Sequence, residues 1–348
     1  MTETDAQTHA AALLDVAAVE RYLTAHLPDF SGPLSAQKLP GGQSNPTFKL
    51  DSPSGAYVLR RKPPGQLLKS AHAVDREYRV MKALESTDVP VPTMRLLCDD
   101  DSVIGSMFFV MDFVEGRNLD DPRLPDQTIG ERAAMFDAMN ATLAALHSVD
   151  PQSVGLGDFG KAGNYYARQL SRWSQQYRAS ETAEIPAMNK LMAWLETNLP
   201  EDDGRVSIVH GDYRLDNLIY HPAEPSVIAV LDWELSTLGH PFNDVAYQCM
   251  QWRMPPGPEG RGLAGIDRAA LGIPTEDEYV HAYCVRMGIP EIPAFDYSLA
   301  FNFFRMAAII QGVLKRALDG NASNPERAMR MGAHVPSFAE AGLDAAGI

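Results

Sequence analysis

The sequence contains the segment His210-Gly211-Asp212-Tyr213-Arg214-Leu215-Asp216-Asn217, flanked by the short hydrophobic runs Val206–Val209 and Leu218–Tyr220. Downstream, the apolar run Val227–Leu231 leads directly into Asp232-Trp233-Glu234. The apolar runs predict short β-strands, so the polar residues between them lie in a loop or at a strand end. A carboxylate at the end of a buried strand is costly unless it has a partner, and a metal ion is the natural partner.

These residue types match the needs of phosphoryl transfer. The reaction uses one carboxylate to accept a hydroxyl proton, together with an amide oxygen and a second carboxylate that hold Mg²⁺. We therefore predict that Asp212 is the catalytic base and that Asn217 and Asp232 are metal ligands. Taken singly, each is equally typical of a turn or a cap. Their order and their strand flanks favour the chemical interpretation.

The hydrophobic pattern changes along the chain. Short extended runs such as Pro46–Leu50 and Tyr57–Lys62 dominate the first part, with one helical stripe at Val74–Leu84, and helical spacing dominates from Ile129 onward. We predict an α+β protein with two lobes. The N-terminal lobe, residues 1–112, has an antiparallel β-sheet and one main helix, residues 113–116 form a hinge, and residues 117–348 form a mostly helical C-terminal lobe. Ligands are expected in a cleft between lobes.

Composition limits the partners. The 348 residues carry a net charge of −15, which argues against nucleic acid or an anionic membrane. No continuous apolar run approaches the roughly 20 residues of a membrane span, and the polar start of the chain lacks the pattern of a signal peptide. The cysteines Cys98, Cys249 and Cys284 are far apart, so neither a disulfide framework nor a structural zinc site is expected. We expect a cytoplasmic protein, and its oligomeric state stays open.

The motif HGDxxxxN, followed by an apolar strand and Asp-Trp-Glu, resembles the aminoglycoside phosphotransferase and choline kinase group. The resemblance extends from about Leu39 to Asn321 and implies a protein-kinase-like two-lobed fold, Mg²⁺, and ATP as the phosphate donor, with GTP left open. The stretches Gly41–Phe48 and Val58–Gly65 look closest to one subgroup, the kinase-like domain related to that at the front of certain acyl-CoA dehydrogenase fusion proteins.

The nucleotide side has a weaker signature. Pro40–Asn45 is a short glycine-rich turn whose backbone amides suit phosphate binding, although a plain β-turn has the same composition. We assign phosphate contacts there to Gly41, Gly42 and Ser44. The resemblance further implies that Arg60 binds phosphate and pairs with Glu77, and that the backbone of the Asp112–Gly116 crossover, with Asp112 and Val114, holds the base.

Two further acids and one spacing bear on the site. Asp244 resembles the family's acid that braces the catalytic loop, whereas the role of Glu234 is left open between the metal site and a hydrogen-bond network. Eleven residues separate Asp232 from Asp244, which leaves no room for a long activation segment of the protein-kinase type. This spacing disfavours a protein kinase, and the intact Asp212, Asn217 and Asp232 argue against a non-catalytic pseudokinase.

The acceptor is sought in the helical segments after Asp244. Between Gln251 and Arg330 nine basic residues balance nine acidic ones, while the remainder of the chain carries the whole negative charge. A carboxylate or CoA phosphate on the acceptor would suit arginines, and we name Arg253, Arg261, Arg268 and Arg305 as candidate contacts. The family resemblance likewise implies a hydroxyacyl-CoA or hydroxy acid. An aminoglycoside, choline or another small alcohol is the alternative acceptor.

Overall fold

The computed structural model describes residues 14–39, 45–63, 73–257, 261–321 and 324–348. The described residues form two compact units. The first takes in those of Met1–Arg117 together with Leu218–Pro222 and Ile228–Ser236, and the second takes in Asn118–Asn217, Ala223–Val227 and Thr237–Ile348. The stretch that follows Asn217 therefore returns to the first unit before the chain re-enters the second.

An antiparallel five-stranded sheet with the strand order β1-β2-β3-β5-β4 forms the centre of the first unit. The elements are α1 (Val16–His26), β1 (Ser35–Lys38), β2 (Thr47–Ser52), β3 (Gly55–Arg61), α2 (Val74–Leu84), β4 (Met94–Cys98) and β5 (Phe108–Asp112). The predicted antiparallel sheet with one main helix is confirmed, and α2 has the predicted bounds.

Alternation along the strands fixes which residues reach α2. In β3, successive side chains point to opposite faces, so Arg60 contacts Glu77 of α2 while Arg61 turns to the other face and donates to Ser106 Oγ. That other face packs against α1 in a core that includes Val19, Leu23, Phe48, Leu50, Leu59, Phe108 and Val110. The alternation along β3 therefore places Arg60 on the face of the sheet that packs against α2.

The chain after Asn217 adds a small three-stranded sheet of order β6-β8-β9. Its strands are β6 (Arg117–Asn118), β8 (Leu218–Tyr220) and β9 (Val227–Val230), and a 3₁₀ turn, Trp233–Leu235, follows β9. Trp233 is fully buried and its indole N–H donates to the carbonyl of Val230 at 2.9 Å. This contact ties the turn back to the strand and places Asp232 at the junction.

The second unit is mostly helical, as predicted. Its helices are α3 (Ile129–Ser148), α4 (Tyr165–Ser180), α5 (Pro186–Thr197), α6 (Pro241–Arg253), α7 (Arg268–Leu271), α8 (Glu276–Met287), α9 (Phe295–Leu318), α10 (Pro325–Gly332) and α11 (Val335–Ala345), and its two strands are β7 (Ser207–Val209) and β10 (Thr237–Gly239). Helix α3 begins at Ile129, because Thr128 and Glu131 form a capping box ahead of the apolar stripe.

Helix α9 is the long core element of this unit. By length and composition it is long and apolar enough to cross a membrane, yet 72% of its most apolar window is buried inside the protein. A helix that is apolar nearly all round and packed on all sides is a core helix. It packs against α4, α5, α6, α10 and α11.

Candidate active site

The loop at residues 210–217 connects β7 to β8 and is held in an unusual backbone conformation. Gly211 has a φ of +83°, a backbone conformation that would be strained for a residue with a side chain. His210 is completely buried, and its Nδ1 accepts the N–H of Asp212 at 3.2 Å. A 3₁₀ turn, Leu215–Asn217, closes the loop. The glycine and histidine of the motif therefore shape the backbone that carries Asp212.

Asp244, in the first turn of α6, forms hydrogen bonds to the backbone of this loop. Its buried carboxylate accepts the backbone N–H groups of His210 at 2.5 Å and Gly211 at 3.0 Å, and His147 Nε2 lies 3.5 Å away. Burial by itself raises the pKa of a carboxyl group, but the contacts with His147 and with the His210 backbone outweigh it and hold the pKa of Asp244 below its usual value. The expected bracing role of Asp244 is thus present in the geometry.

Asp212 is a partly exposed carboxylate of the loop, with 21% of its side chain accessible. Asn217 Nδ2 donates to its Oδ2 at 3.1 Å and to its backbone carbonyl at 2.9 Å. The hydroxyl of Tyr247 donates to Oδ1, and Arg214 Nε lies 3.4 Å from the same oxygen. A carboxylate fixed in this way, and still accessible, is suited to accept a proton from a hydroxyl group.

The amide of Asn217 is oriented by the same contacts. Both of its hydrogen bonds to Asp212 use Nδ2, so the side-chain oxygen Oδ1 is left without a hydrogen bond among the described residues. An amide has only this one acceptor atom. Asn217 therefore presents an oxygen of the kind that Mg²⁺ prefers.

Arg305, from α9, also contacts the backbone of the loop. Its Nη2 donates to the carbonyl of Gly211 at 2.7 Å, and its guanidinium lies 5.8 Å and 5.7 Å from the ring centres of Trp173 and Tyr247. The residue is only 7% exposed. Arg305 was predicted to contact the acceptor, but in the described structure it bonds to the backbone next to Asp212.

In the first unit, one arginine gathers three carboxylates. Arg60 Nε lies 2.9 Å from Glu77 Oε2, and Nη2 lies 2.7 Å from Asp232 Oδ1 and 3.4 Å from Glu234 Oε2. The four side chains carry a net charge of −2 when all three acids are ionised. Burial raises the pKa of Glu77 to about 7, with Asp232 and Glu234 adding to the rise and Arg60 opposing it. The predicted Arg60–Glu77 pair is present.

The donor atoms of this cluster fit Mg²⁺. Asp232 has a φ of +63°, an uncommon conformation for a residue with a side chain and one that clusters at functional sites. In the described part of the chain, no three His, Cys, Asp or Glu side chains form a ready-made metal cage. Mg²⁺ is usually held by one or two carboxylates together with substrate phosphates, and a divalent cation would offset the excess negative charge around Arg60.

The remaining nucleotide assignments differ in outcome. Gly41, Gly42 and Ser44 lie outside the described residues. Asp112 ends β5, and its carboxylate forms two short contacts with the Arg95 guanidinium, at 2.6 and 2.7 Å. Val114 makes no backbone–backbone hydrogen bond within the described chain.

Of the candidate acceptor arginines, Arg261 has the position most suited to a ligand. Arg253 is held in a two-point ion pair with Glu276, at 2.9 and 2.7 Å, and Arg268 donates to a backbone carbonyl. Arg261 pairs with Asp216 of the 210–217 loop and lines a pocket in the second unit.

This pocket has a volume of about 220 Å³. Its polar lining includes Arg214, Tyr247 and Arg327, which the sequence analysis did not single out. Because both Tyr247 and Arg214 contact Asp212, the pocket opens beside the carboxylate. Tyr247 lies three residues after Asp244, and this spacing places both residues on one face of α6. The relation could be recognised from the sequence. Arg327 comes from a distant helix and carries no comparable signal.

Fold and site together define a small-molecule kinase. The model of the phosphotransferase enzyme family (APH) matches residues 35–279. The crystal structure of a candidate aminoglycoside phosphotransferase from Ralstonia eutropha JMP134 is 51% identical, with a TM-score of 0.88 over 96% of this chain and 98% of that one. The chain belongs to the phosphotransferase enzyme family.

More distant structures share the fold. A thermostable mutant of aminoglycoside phosphotransferase APH(4)-Ia, in a ternary complex with AMP-PNP and hygromycin B, is 15% identical, with a TM-score of 0.61 over 94% of this chain and 98% of that one. The predicted kinase-like fold is therefore confirmed.

The curated relatives belong to the predicted subgroup. Acyl-CoA dehydrogenase family member 10 of Mus musculus is 49% identical over 94% of this chain and 31% of its own length. Acyl-CoA dehydrogenase family member 11 of Gallus gallus is 46% identical over 95% of this chain and 43% of its own length. The chain thus spans 31% and 43% of the length of these two relatives, and the resemblance to the dehydrogenase-associated subgroup is confirmed.

Removal of the Asp244 carboxylate should destabilise the protein strongly. Asp244→Ala leaves two buried backbone N–H groups unpaired, so we expect a loss of about 3–5 kcal/mol in the free energy of unfolding at neutral pH. Because the folded-state pKa is lowered, this stabilisation is present above the unfolded value, near pH 4, and is lost as the pH falls through the folded value. Denaturant titrations at neutral and acidic pH measure both effects.

Asp137→Ala is the matched control, because Asp137 is an aspartate with a charged partner, Arg286, but is 63% exposed. This variant should lose no more than about 1 kcal/mol. Equal losses in the two variants would contradict the bracing role of Asp244.

Proposed function

We propose that the protein transfers the γ-phosphoryl group of Mg²⁺-bound ATP to a hydroxyl group of a small anionic molecule, a hydroxyacyl-CoA or a hydroxy acid. The observation that carries the proposal is the carboxylate of Asp212, held by Asn217 and Tyr247 and open beside a pocket. GTP remains an alternative donor, since backbone contacts at the crossover carry no side-chain signature for the base.

In this proposal Asp212 receives the proton of the acceptor hydroxyl. The hydroxyl oxygen forms a bond to the γ-phosphorus as the bond from that phosphorus to the β,γ-bridging oxygen breaks, and ADP leaves with the electron pair. Tyr247 and Asn217 hold the Asp212 carboxylate in one orientation, which is the positioning that this chemistry requires. A general base contributes typically 10²–10⁴-fold to the rate.

The proposed donor side rests on the cluster around Arg60 and on Asn217. We propose that Asp232 and Asn217 are Mg²⁺ ligands and that Arg60, ordered by Glu77, meets phosphate oxygens, with Glu234 as a supporting acid. When bound, Mg²⁺ would neutralise phosphate charge and orient the transferred group. The phosphate contacts of Gly41, Gly42 and Ser44, and the base contacts of Asp112 and Val114, belong to the same proposal.

Two observations favour an anionic acceptor. Three arginines and two aspartates line the pocket of a chain whose overall charge is −15, so the pocket is positive relative to its surroundings. The named relatives are acyl-CoA dehydrogenases, whose name refers to acyl-CoA compounds. A polycationic aminoglycoside would meet like charges here. The buried free cysteines fit the proposed cytoplasmic setting.

Other functions make different predictions. A kinase of choline or an aminoglycoside would consume ATP with those acceptors and not with hydroxyacyl-CoAs. A non-catalytic pseudokinase would bind nucleotide and consume none. ATP consumption measured against a panel of hydroxyacyl-CoAs, hydroxy acids, amino alcohols and aminoglycosides separates the three functions.

Replacement of the base should stop turnover without removing nucleotide. Asp212→Asn keeps the size of the side chain and one acceptor oxygen but cannot accept the proton, so we expect kcat to fall by at least about 10²-fold. The affinity for ATP should stay within about twofold, because Asp212 is not assigned to the phosphates. Near-normal turnover in this variant would remove Asp212 from the mechanism.

Loss of the Asp232 carboxylate should remove metal-dependent binding. We expect Asp232→Ala to lose the Mg²⁺-dependent part of its ATP affinity together with its activity, because this carboxylate is assigned to the metal. Calorimetric titrations of ATP with Mg²⁺ and with excess EDTA measure the difference. Asp101→Ala, on an exposed turn, is the control and should behave as the parent. Activity that persists in EDTA would contradict the assignment.

Arg261 and Arg253 form a matched pair for the anionic acceptor. Removal of a charge-assisted contact costs roughly 1.5–3 kcal/mol, so Arg261→Ala should raise KM for a hydroxyacyl-CoA by about tenfold to a hundredfold with little change in kcat. Arg253→Ala should leave KM unchanged, because its partner is Glu276. Steady-state kinetics of both variants decide the point. Equal KM values in the two variants would contradict an acceptor contact at Arg261.

A further inference from the structure

The lining of the pocket beside Asp212 includes a group of apolar side chains. Six of them come from the helical segments after Asp244 and have no strong hydrogen-bonding group: Met250, Met254, Met306, Ile310, Met331 and Phe338. They come from helices α6, α9, α10 and α11 and from the residue that follows α6. We call these six residues the methionine floor.

The methionine floor lies in the same pocket as two residues that contact the catalytic carboxylate. The polar end is marked by Tyr247 and Arg214, which line the pocket and contact Asp212. Arg327 and His334 also line it, and neither forms an ion pair within the described structure. A molecule that fills this space therefore meets two residues that contact Asp212 and also meets the six apolar side chains.

We propose that the methionine floor binds an unbranched hydrocarbon chain of the phosphate acceptor and sets the chain length that the protein accepts. This proposal rests on the proposed function in placing the acceptor hydroxyl at Asp212. Four of the six floor residues are methionines, whose unbranched and polarisable side chains adapt to chains of different length. The pocket thereby selects by length more than by shape.

The floor fits a hydrocarbon chain better than the other acceptors. An aminoglycoside carries many hydroxyl and amino groups, and these would lose their hydrogen bonds to water against six apolar side chains. A quaternary ammonium group is usually enclosed by several aromatic rings, whereas Phe338 is the one aromatic ring of the floor. A hydrocarbon chain needs neither hydrogen-bond partners nor an aromatic cage, and its transfer from water to an apolar pocket is favourable.

The pocket volume sets the expected length. A volume of about 220 Å³ accommodates roughly seven groups of the size of a water molecule or a methylene, at about 30 Å³ each. Each buried methylene should tighten binding about fourfold. Affinity should therefore rise with chain length and level off after roughly seven buried carbons.

The test uses straight-chain acyl-CoAs without a hydroxyl group, with chains of about four to about twelve carbons. Their dissociation constants are measured by calorimetry in the presence of saturating ADP and Mg²⁺, so that the nucleotide site is filled. We expect the parent protein to bind about fourfold more tightly per added methylene until the plateau. A dissociation constant that does not depend on chain length overturns the proposal.

Two neighbouring methionines of α10 provide the variant and its control. Met331 lines the pocket, whereas Met329 is 48% exposed on the same helix. Met331→Trp should fill part of the floor and shift the plateau to shorter chains by two or more carbons, while Met329→Trp should keep the parent profile. The same plateau in both variants overturns the proposal. Met306→Trp, from α9, repeats the test if the first variant fails to fold.

Phosphorylation assays with the corresponding 4-hydroxyacyl-CoAs separate this proposal from the proposed function. Length-dependent binding without phosphorylation of any hydroxyacyl-CoA contradicts the kinase reaction on this acceptor and retains the chain site. Phosphorylation with equal efficiency at every chain length supports the kinase reaction and overturns the chain site. Length-dependent binding and kcat/KM with the same plateau support both.

Discussion

The buried carboxylate of Asp244 is the contact on which the 210–217 loop depends. It accepts two consecutive backbone N–H groups, from His210 and Gly211, and so satisfies these donors inside the protein. Once these are paired, the positive φ of Gly211 turns the chain so that Asp212 follows with its carboxylate partly exposed. A structural acid thus stays buried and ionised so that a second acid can remain accessible.

Much of this arrangement could be predicted from the sequence because its signals are local. The strands that flank the loop, the helix Val74–Leu84 and the pairing of Arg60 with Glu77 follow from periodicity and from one family motif. The pocket could not be predicted, since its lining comes from helices far apart in sequence. Proximity along the chain also misleads: Arg253 lies near the site in sequence, yet Glu276 holds it.

Charge is distributed unevenly in this acidic chain, and the two described regions have opposite character. In the first unit, three carboxylates around Arg60 give an excess of negative charge that suits a divalent cation. In the second unit, arginines and methionines line a pocket beside Asp212 that suits an anion with an apolar chain. The fold alone would serve many acceptors, so the pocket carries the information about the substrate.

The most direct test of the central claim is a phosphorus NMR spectrum of the protein with ATP, Mg²⁺ and a 4-hydroxyacyl-CoA of medium chain length. The proposed reaction predicts a new phosphomonoester signal on the acyl chain that grows at the same rate as ADP. Formation of ADP with only inorganic phosphate, or no consumption of ATP across the hydroxyacyl-CoA series, would contradict the claim that Asp212 directs an acceptor hydroxyl to the γ-phosphoryl group.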